Sequence, residues 1–121
     1  MRYFNFKLYF FLIGIVVYLS CEAPLFQIPN EEDTSPPLVT LVNPTDKTIV
    51  QDTVNVQIFA QDNDGVSSVE LFLNNSSVVV LTESPYEWAW STFDSGEDVD
   101  ISITAKATDN TENSNQTEPI K

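Results

Sequence analysis

The stretch VNVQIFAQDNDGVSSVELFLNN, residues 54–75, decides the fold class of this 121-residue chain. Every second residue is apolar in 54–60, and after the turn DNDG at 62–65 the alternation resumes in 69–73. Successive residues of an extended strand point to opposite faces, so a period of two puts the apolar side chains on one face. The stretch therefore predicts two antiparallel strands that each bury one face.

Further segments with the same period surround this stretch, and polar turns separate them. One of these turns, Asn74-Asn75, suits a hairpin reversal because asparagine tolerates a positive φ. Short alternating strands at intervals of about a dozen residues are typical of two packed antiparallel sheets. We therefore predict an all-β domain, an antiparallel β-sandwich of about six to seven strands. The flanking segments are residues 38–42, 78–82, 86–91 and 99–108.

Residues 1–20 differ from the rest and have the order of a secretory signal peptide. Arg2 and Lys7 are basic, the following LYFFLIGIVVYL (8–19) is uncharged, and the small Ser20 precedes Cys21. As a helix, this apolar stretch rises about 18 Å, against roughly 30 Å of bilayer hydrocarbon. We therefore expect a helical signal peptide over 1–20 rather than a transmembrane span.

The sequence Tyr18-Leu19-Ser20-Cys21 resembles a bacterial lipobox, with Tyr18 where leucine is usual. The resemblance implies cleavage between Ser20 and Cys21, with a diacylglyceryl group on the Cys21 thiol and acylation of the new amine. Two or three acyl chains hold a protein at a membrane durably, whereas one gives only marginal residence. Aspartate after the cysteine often marks inner-membrane retention, so Glu22 favours the outer membrane.

Residues 21–37 read as an extended acidic tether between the lipid and the domain. The segment has four prolines, no apolar periodicity and the acidic run Glu31-Glu32-Asp33. Such acidic runs resemble the signals that some Gram-negative bacteria use to export lipoproteins to the cell surface. The predicted organisation is therefore a signal peptide at 1–20, a tether at 21–37 and a β-sandwich at 38–121.

The composition excludes several classes of function. From Cys21 onward the chain has three lysines against all 18 acidic residues, so its surface repels phosphate backbones and nucleic-acid binding is not expected. With no histidine and one cysteine, the chain cannot build a Ser-His-Asp triad, an ordinary zinc site or an internal disulfide. We therefore predict that the protein is not an enzyme.

Four pieces of the chain together cover nearly the whole predicted domain: PPLVTLVNPTDKTIV (36–50), VNVQIFAQDNDGVSSVELFLNN (54–75), SPYEWAWST (84–92) and AKATDNTENSN (105–115). They resemble bacterial Ig-like domains, which are repeated in cell-surface and secreted proteins. The last piece resembles that family's A-x-A-x-D-x-x-G-N ending, with Glu112 in place of the usual glycine. The resemblance implies an Ig-like sandwich with an adhesive or spacer role and no catalytic residues, and residues 116–121 leave room only for a short or incomplete last strand.

Asp62, Asp64 and Asp109 are candidate calcium ligands, because each lies at a strand end and the three ends belong to one pole of the predicted sandwich. Oxygen-rich poles of Ig-like and cadherin-like domains sometimes bind Ca²⁺. An EF-hand is excluded, since with Gly65 at its sixth place the twelfth place is Leu71. Asp and Asn are also ordinary turn formers, so a purely structural role is the alternative.

Trp88 is a candidate ligand platform, because aromatic faces can stack on sugar rings. The alternative is that Tyr86, Trp88 and Trp90, which share one face of a strand, fill the core. The sequence thus predicts an outer-membrane lipoprotein whose Ig-like domain serves adhesion, assembly or spacing, with no cofactor beyond its covalent lipid and the Ca²⁺ candidate. A carbohydrate-binding accessory for polysaccharide uptake and the N-terminal part of a longer surface protein are the alternatives.

Overall fold

The alternating segments form seven strands in the computed structural model, which describes residues 29–121. The predicted all-β class and strand number are confirmed. Within the described part of the chain, no helix is long and apolar enough to cross a membrane. The strands are β1 (Leu38–Asn43), β2 (Thr53–Gln61), β3 (Val66–Leu73), β4 (Ser76–Leu81), β5 (Tyr86–Ser91), β6 (Ile103–Asp109) and β7 (Ser114–Gln116).

The strands pair into two antiparallel sheets, one in the order β1-β2-β5 and the other in the order β4-β3-β6-β7. The stretch at 54–75 supplies the central strand β2 of the first sheet and the inner strand β3 of the second. Asn74 and Asn75 turn β3 into β4 with φ values of 49° and 66°, as predicted from their tolerance of positive φ. This arrangement is an Ig-like β-sandwich.

The core lies between the two sheets and follows the predicted period of two. Val56 from β2 and Leu71 from β3 are fully buried, and each pairs in register with an inward residue of the neighbouring strand, Trp88 and Ala105 respectively. Full burial of a side chain such as Leu71 contributes about 1.5–3 kcal/mol to folding. The remaining buried apolar residues are Val39, Ile58, Val69, Tyr86, Trp90, Ile103 and Ala107.

The strand predicted over 99–108 begins later, at Ile103. Its partner strand β3 ends at Leu73, which is paired with Ile103, so no strand is available to pair with residues 99–102. The Asn74 side chain replaces a strand partner for Ser102, because its carbonyl oxygen accepts a hydrogen bond from the Ser102 amide at 2.9 Å. The last strand is short, as expected, and Ile120 adds an isolated bridge to Ile103.

The compact unit that contains the sandwich begins at Glu32, earlier than the predicted boundary at Leu38. Pro37 is fully buried, and its carbonyl accepts a hydrogen bond from the Asn115 side chain at 3.1 Å. Residues 32–37 therefore belong to the folded domain, because the carbonyls of Asp33 and Pro37 accept hydrogen bonds from side chains in the segment after β6. Proline content alone had indicated a solvated tether.

The sandwich has two poles with different loops. At the near pole, β1 begins, the turn 62–65 joins β2 to β3, and the turn 110–113 follows β6. At the far pole, the loop 44–52 joins β1 to β2 and the loop 92–102 joins β5 to β6. The chain therefore enters the sandwich at the near pole, and Ile120 lies at the far pole beside Ile103.

Candidate functional site

The near pole brings three aspartates together, and they are not the three that the sequence predicts. Carboxylate oxygens of Asp33, Asp62 and Asp109 all lie within 4.8 Å of one another. The predicted pair of Asp62 and Asp109 therefore converges, whereas the third predicted ligand, Asp64, lies outside the cluster. Asp33 takes its place from the segment that precedes β1.

Asp109 is the buried member of this cluster, with 1% of its surface exposed at the end of β6. Its Oδ1 accepts hydrogen bonds from the Thr111 amide at 2.8 Å, the Thr111 hydroxyl at 3.0 Å and the Asn113 amide at 2.9 Å. Its Oδ2 accepts one from the Asn113 side-chain amide at 2.9 Å. Burying a carboxylate costs free energy unless hydrogen-bond donors of the protein replace the water molecules that it loses.

These donors also determine the charge of Asp109. Burial raises the pKa of this carboxyl, but the side-chain and backbone hydrogen bonds from Asn113 and Thr111 together lower the pKa below its usual value of 3.8. Hydrogen bonds given to the charged form favour that form. Asp109 therefore remains a carboxylate at neutral pH, as a metal ligand must.

Asn113 connects Asp109 to the segment before β1. Its side-chain amide donates to the main-chain carbonyl of Asp33 at 2.9 Å and also to the Thr111 hydroxyl at 3.0 Å. The two N–H bonds of this amide are thus shared among three acceptors. One asparagine therefore fixes both the buried carboxylate and the position of Asp33.

The Asp33 side chain has one satisfied and one unsatisfied oxygen. Its Oδ1 accepts a hydrogen bond from the Ser35 amide at 3.0 Å, which is a local Asx turn. Its Oδ2 is buried and has no hydrogen-bond partner. A buried, unpaired carboxylate oxygen is costly, so this atom is the point in the cluster that a bound cation would stabilise most.

The turn 62–65 supplies the third carboxylate and explains why Asp64 does not. The Asp62 side chain accepts a hydrogen bond from the Asp64 amide at 2.8 Å, while the Asp64 carbonyl accepts one from the Asn110 side chain. Gly65 has a φ of 93°, and a Cβ there would lie 2.9 Å from the Asn110 amide nitrogen. Asp64 thus serves the turn through its main chain, and its side chain is exposed.

The chemistry of this cluster suits a divalent cation with oxygen ligands. Ca²⁺ binds oxygens at about 2.3–2.6 Å, so two ligands of one ion lie at most about 5 Å apart, and the three carboxylates satisfy that limit. Ca²⁺ takes six to eight oxygens in flexible geometry, and main-chain carbonyls and waters commonly complete the set. Asp33, Asp62 and Asp109 are the residues that would hold the ion.

The sequence could not have revealed Asp33 as a member of the site. It lies in a proline-containing acidic run with no periodicity, and its contact Asn113 is 80 residues away. Asp62 and Asp109 were recognised because they end strands. The one available signal was the position of Asp33 shortly before the first strand, at the same pole as those ends.

Trp88 lies on the inner face of β5, as the alternation with Tyr86 and Trp90 predicts. Its ring stacks on Trp90 with centroids 6.5 Å apart and an interplanar angle of 14°, and it packs against the core. Since β5 is at the edge of its sheet, Trp88 remains partly exposed. Most of its surface is therefore committed to packing.

Ser20 and Cys21, the predicted cleavage and lipidation residues, lie outside the described residues.

The β-sandwich region of this chain is similar to domains of known proteins. A family described as "Bacterial Ig domain" matches residues 37–105, more than half of the chain. A solved structure of fibronectin(III)-like modules of Clostridium thermocellum CbhA is similar over 69% of this chain, with a TM-score of 0.57 and 22% identity. The matched region spans 43% of that structure's own chain. No curated protein sequence matches significantly. The family match ends before Asp109, so the carboxylate cluster lies partly beyond it.

The turn after β6 generates a prediction about Glu112. This residue has a φ of 68°, in the left-handed region, at the position where the resembling domains usually have glycine. A Cβ in this region costs about 1–2 kcal/mol, and glycine's larger entropy loss on folding offsets about 0.5–1 kcal/mol. We expect Glu112→Gly to raise the free energy of unfolding by about 0.5–1 kcal/mol, measured by urea denaturation.

The control for this prediction is Glu118→Gly, at an exposed residue without a positive φ. Glycine there adds chain entropy to the unfolded state and relieves no strain, so this variant should be less stable than the wild type. If Glu112→Gly destabilises the protein as much as Glu118→Gly does, the strain assigned to Glu112 is absent.

Proposed function

The chain belongs to the bacterial Ig domain family, and from this membership together with the lipobox resemblance we propose that it is a non-enzymatic cell-envelope lipoprotein whose domain serves adhesion, assembly or spacing. Ig-like domains are typically non-catalytic modules of surface or multidomain proteins. The lipobox resemblance at Cys21 supports the anchoring part of the proposal, with the outer membrane as the favoured location. The direction of the chain through the sandwich supports the spacing part.

The observation that carries the spacing role is the separation of the two ends of the domain. At the near pole, the main-chain carbonyls of Asp33 and Pro37 accept hydrogen bonds from the side chains of Asn113 and Asn115, respectively. Residues 117–120 run back along β6, where the Thr117 amide donates to the Ala105 carbonyl and Ile120 exchanges two hydrogen bonds with Ile103 at the far pole. A module with its two ends at opposite poles separates whatever is attached at one pole from whatever contacts the other.

The folded unit also redefines the proposed tether. Because the compact unit begins at Glu32, the residues between Cys21 and the domain are 22–31. At full extension, this segment reaches about 30 Å. Under this proposal, acyl chains on Cys21 would supply about 0.8 kcal/mol of membrane binding per buried methylene.

The anchoring proposal predicts incorporation of lipid at one residue. When the full chain is expressed in a Gram-negative host fed with radiolabelled palmitate, the wild type should become labelled and appear in the membrane fraction. Cys21→Ala should lose the label, because the only thiol in the chain is removed. Ser20 and the domain are unchanged in this variant, and Asp64→Asn serves as a labelled control. Labelling that persists in Cys21→Ala contradicts the proposal.

We further propose that Ca²⁺ binds at the near pole through Asp33, Asp62 and Asp109. The buried, unpartnered Oδ2 of Asp33 carries this proposal, since a cation would satisfy it and offset the repulsion among three adjacent carboxylates. Asp33 precedes the sandwich and the other two residues end strands within it. Bound Ca²⁺ would therefore fasten the entry segment to the domain and stiffen the junction with the tether.

Calcium should raise the thermal stability of the full-length chain purified in detergent. Binding to the folded state alone stabilises it by RT ln(1 + [Ca²⁺]/Kd), about 2.7 kcal/mol at a hundredfold excess over Kd. The melting temperature should rise across millimolar Ca²⁺ relative to EDTA. Asp33→Asn should abolish most of this rise because it removes the unpaired ligand.

A matched control and a measurement in EDTA test the calcium prediction further. Asp64→Asn, an exposed residue of the same turn but outside the cluster, should retain the wild-type response. In EDTA, Asp33→Asn should be at least as stable as the wild type, because one of three like charges is gone. A melting temperature that does not change with Ca²⁺ in the wild type would exclude the site and leave the anchoring proposal untouched.

A further inference from the structure

Exposed apolar side chains gather at the far pole, away from the carboxylate cluster. Ile49 is 90% exposed, Phe93 75% and Val99 53%, and they come from the two loops of that pole. Together these loops line an open groove of about 1120 Å³. Exposed apolar clusters rimmed by polar groups commonly mark sites of protein interaction.

Hydrogen bonds join the bases of the two loops that line the groove. The Asp52 carbonyl accepts bonds from the Thr92 amide at 2.8 Å and the Thr92 hydroxyl at 2.9 Å, which joins the end of one loop to the start of the other. The Asp46 carboxylate accepts the Lys121 amide at 2.9 Å, and the Thr45 and Thr48 hydroxyls are 2.9 Å apart. These bonds therefore fix the two loops relative to each other at their bases.

The groove has an excess of negative charge, which favours a cationic partner. Exposed acidic residues alternate with Phe93 and Val99 along the loop 92–102, and the opposite loop adds two more. The groove's basic residues are Lys47 and Lys121. Excess negative charge beside an apolar floor attracts cationic segments and repels anionic ones. The acidic residues of the two loops are Asp46, Asp52, Asp94, Glu97, Asp98 and Asp100.

We propose that this groove, lined by Ile49, Phe93 and Val99, binds a cationic segment of a partner protein that inserts apolar side chains between its basic residues. A second copy of this chain is a poorer occupant, because it would present the same acidic loops. An anionic membrane surface would be repelled for the same reason. The proposal deepens the adhesion role stated above and is independent of the lipid on Cys21 and of Ca²⁺.

A synthetic peptide of alternating lysine and leucine tests the proposal directly. Its binding to the full-length chain in detergent is measured by fluorescence anisotropy, and the contacts are mapped by ¹⁵N chemical-shift changes. We expect shifts concentrated in 44–52 and 92–102. Phe93→Ser should weaken binding at least about tenfold, because burial of one large apolar side chain is worth about 1.5–3 kcal/mol and 1.4 kcal/mol corresponds to tenfold.

Matched variants separate the groove from general attraction to an acidic protein. Phe59→Ser removes a phenylalanine that is 48% exposed on the outer face of β2, and it should leave binding unchanged. Asp98→Asn with Asp100→Asn should reduce the salt dependence of binding, whereas Glu83→Gln with Glu112→Gln, the same charge change at the near pole, should not.

Three outcomes would overturn the proposal. The first is an equal loss of binding in Phe59→Ser or in the near-pole charge variant, which would indicate non-specific attraction. The second is equal binding of a peptide with glutamate in place of lysine. The third is a dimer of the chain that Phe93→Ser converts to monomer, since a second copy would then be the occupant. Unchanged circular dichroism and melting temperature in Phe93→Ser verify that the variant is folded.

Discussion

The buried carboxylate of Asp109 is the constraint on which the near pole depends. It ends the inner strand β6 with 1% of its surface exposed, and a charge in that position must be surrounded by donors. The chain meets this requirement by turning at 110–113 so that Thr111 and Asn113 face back toward it. The same turn starts β7 and places the Asn113 amide against Asp33. One desolvated charge therefore organises the end of β6, the last strand and the entry of the chain.

The elements that could be predicted from the sequence are those governed by local rules. The period of two correctly indicated the strands and their inward faces, and Asn74-Asn75 correctly indicated a hairpin. The alternation of Val99 and Ile101 with polar residues predicts a strand from position 99, but a strand also needs a partner, and β3 ends opposite Ile103. Asp33 was missed for a similar reason, because its role is created by a tertiary contact with Asn113 rather than by its neighbours.

The two poles of the domain divide the proposed functions between them. The near pole holds carboxylates and the entry of the chain, so chemistry there affects how the domain is joined to its tether. The far pole holds an open groove with exposed apolar and acidic residues, and the proposed partner contact belongs there. The family membership explains the sandwich that separates them. The acidic cluster and the groove lie in loops at opposite poles, so the two proposals concern different ends of the domain.

The fold extends back to Asp33 and is fixed there by the Asp109–Asn113 network. The most direct test is ¹⁵N relaxation of the Asp33, Thr34 and Ser35 amides in the full-length chain without calcium. A docked segment predicts order parameters near those of the strands, about 0.85. Values below about 0.6 at these three amides, with rigid strands, would show that the domain begins only at β1 and that Asp33 is not docked.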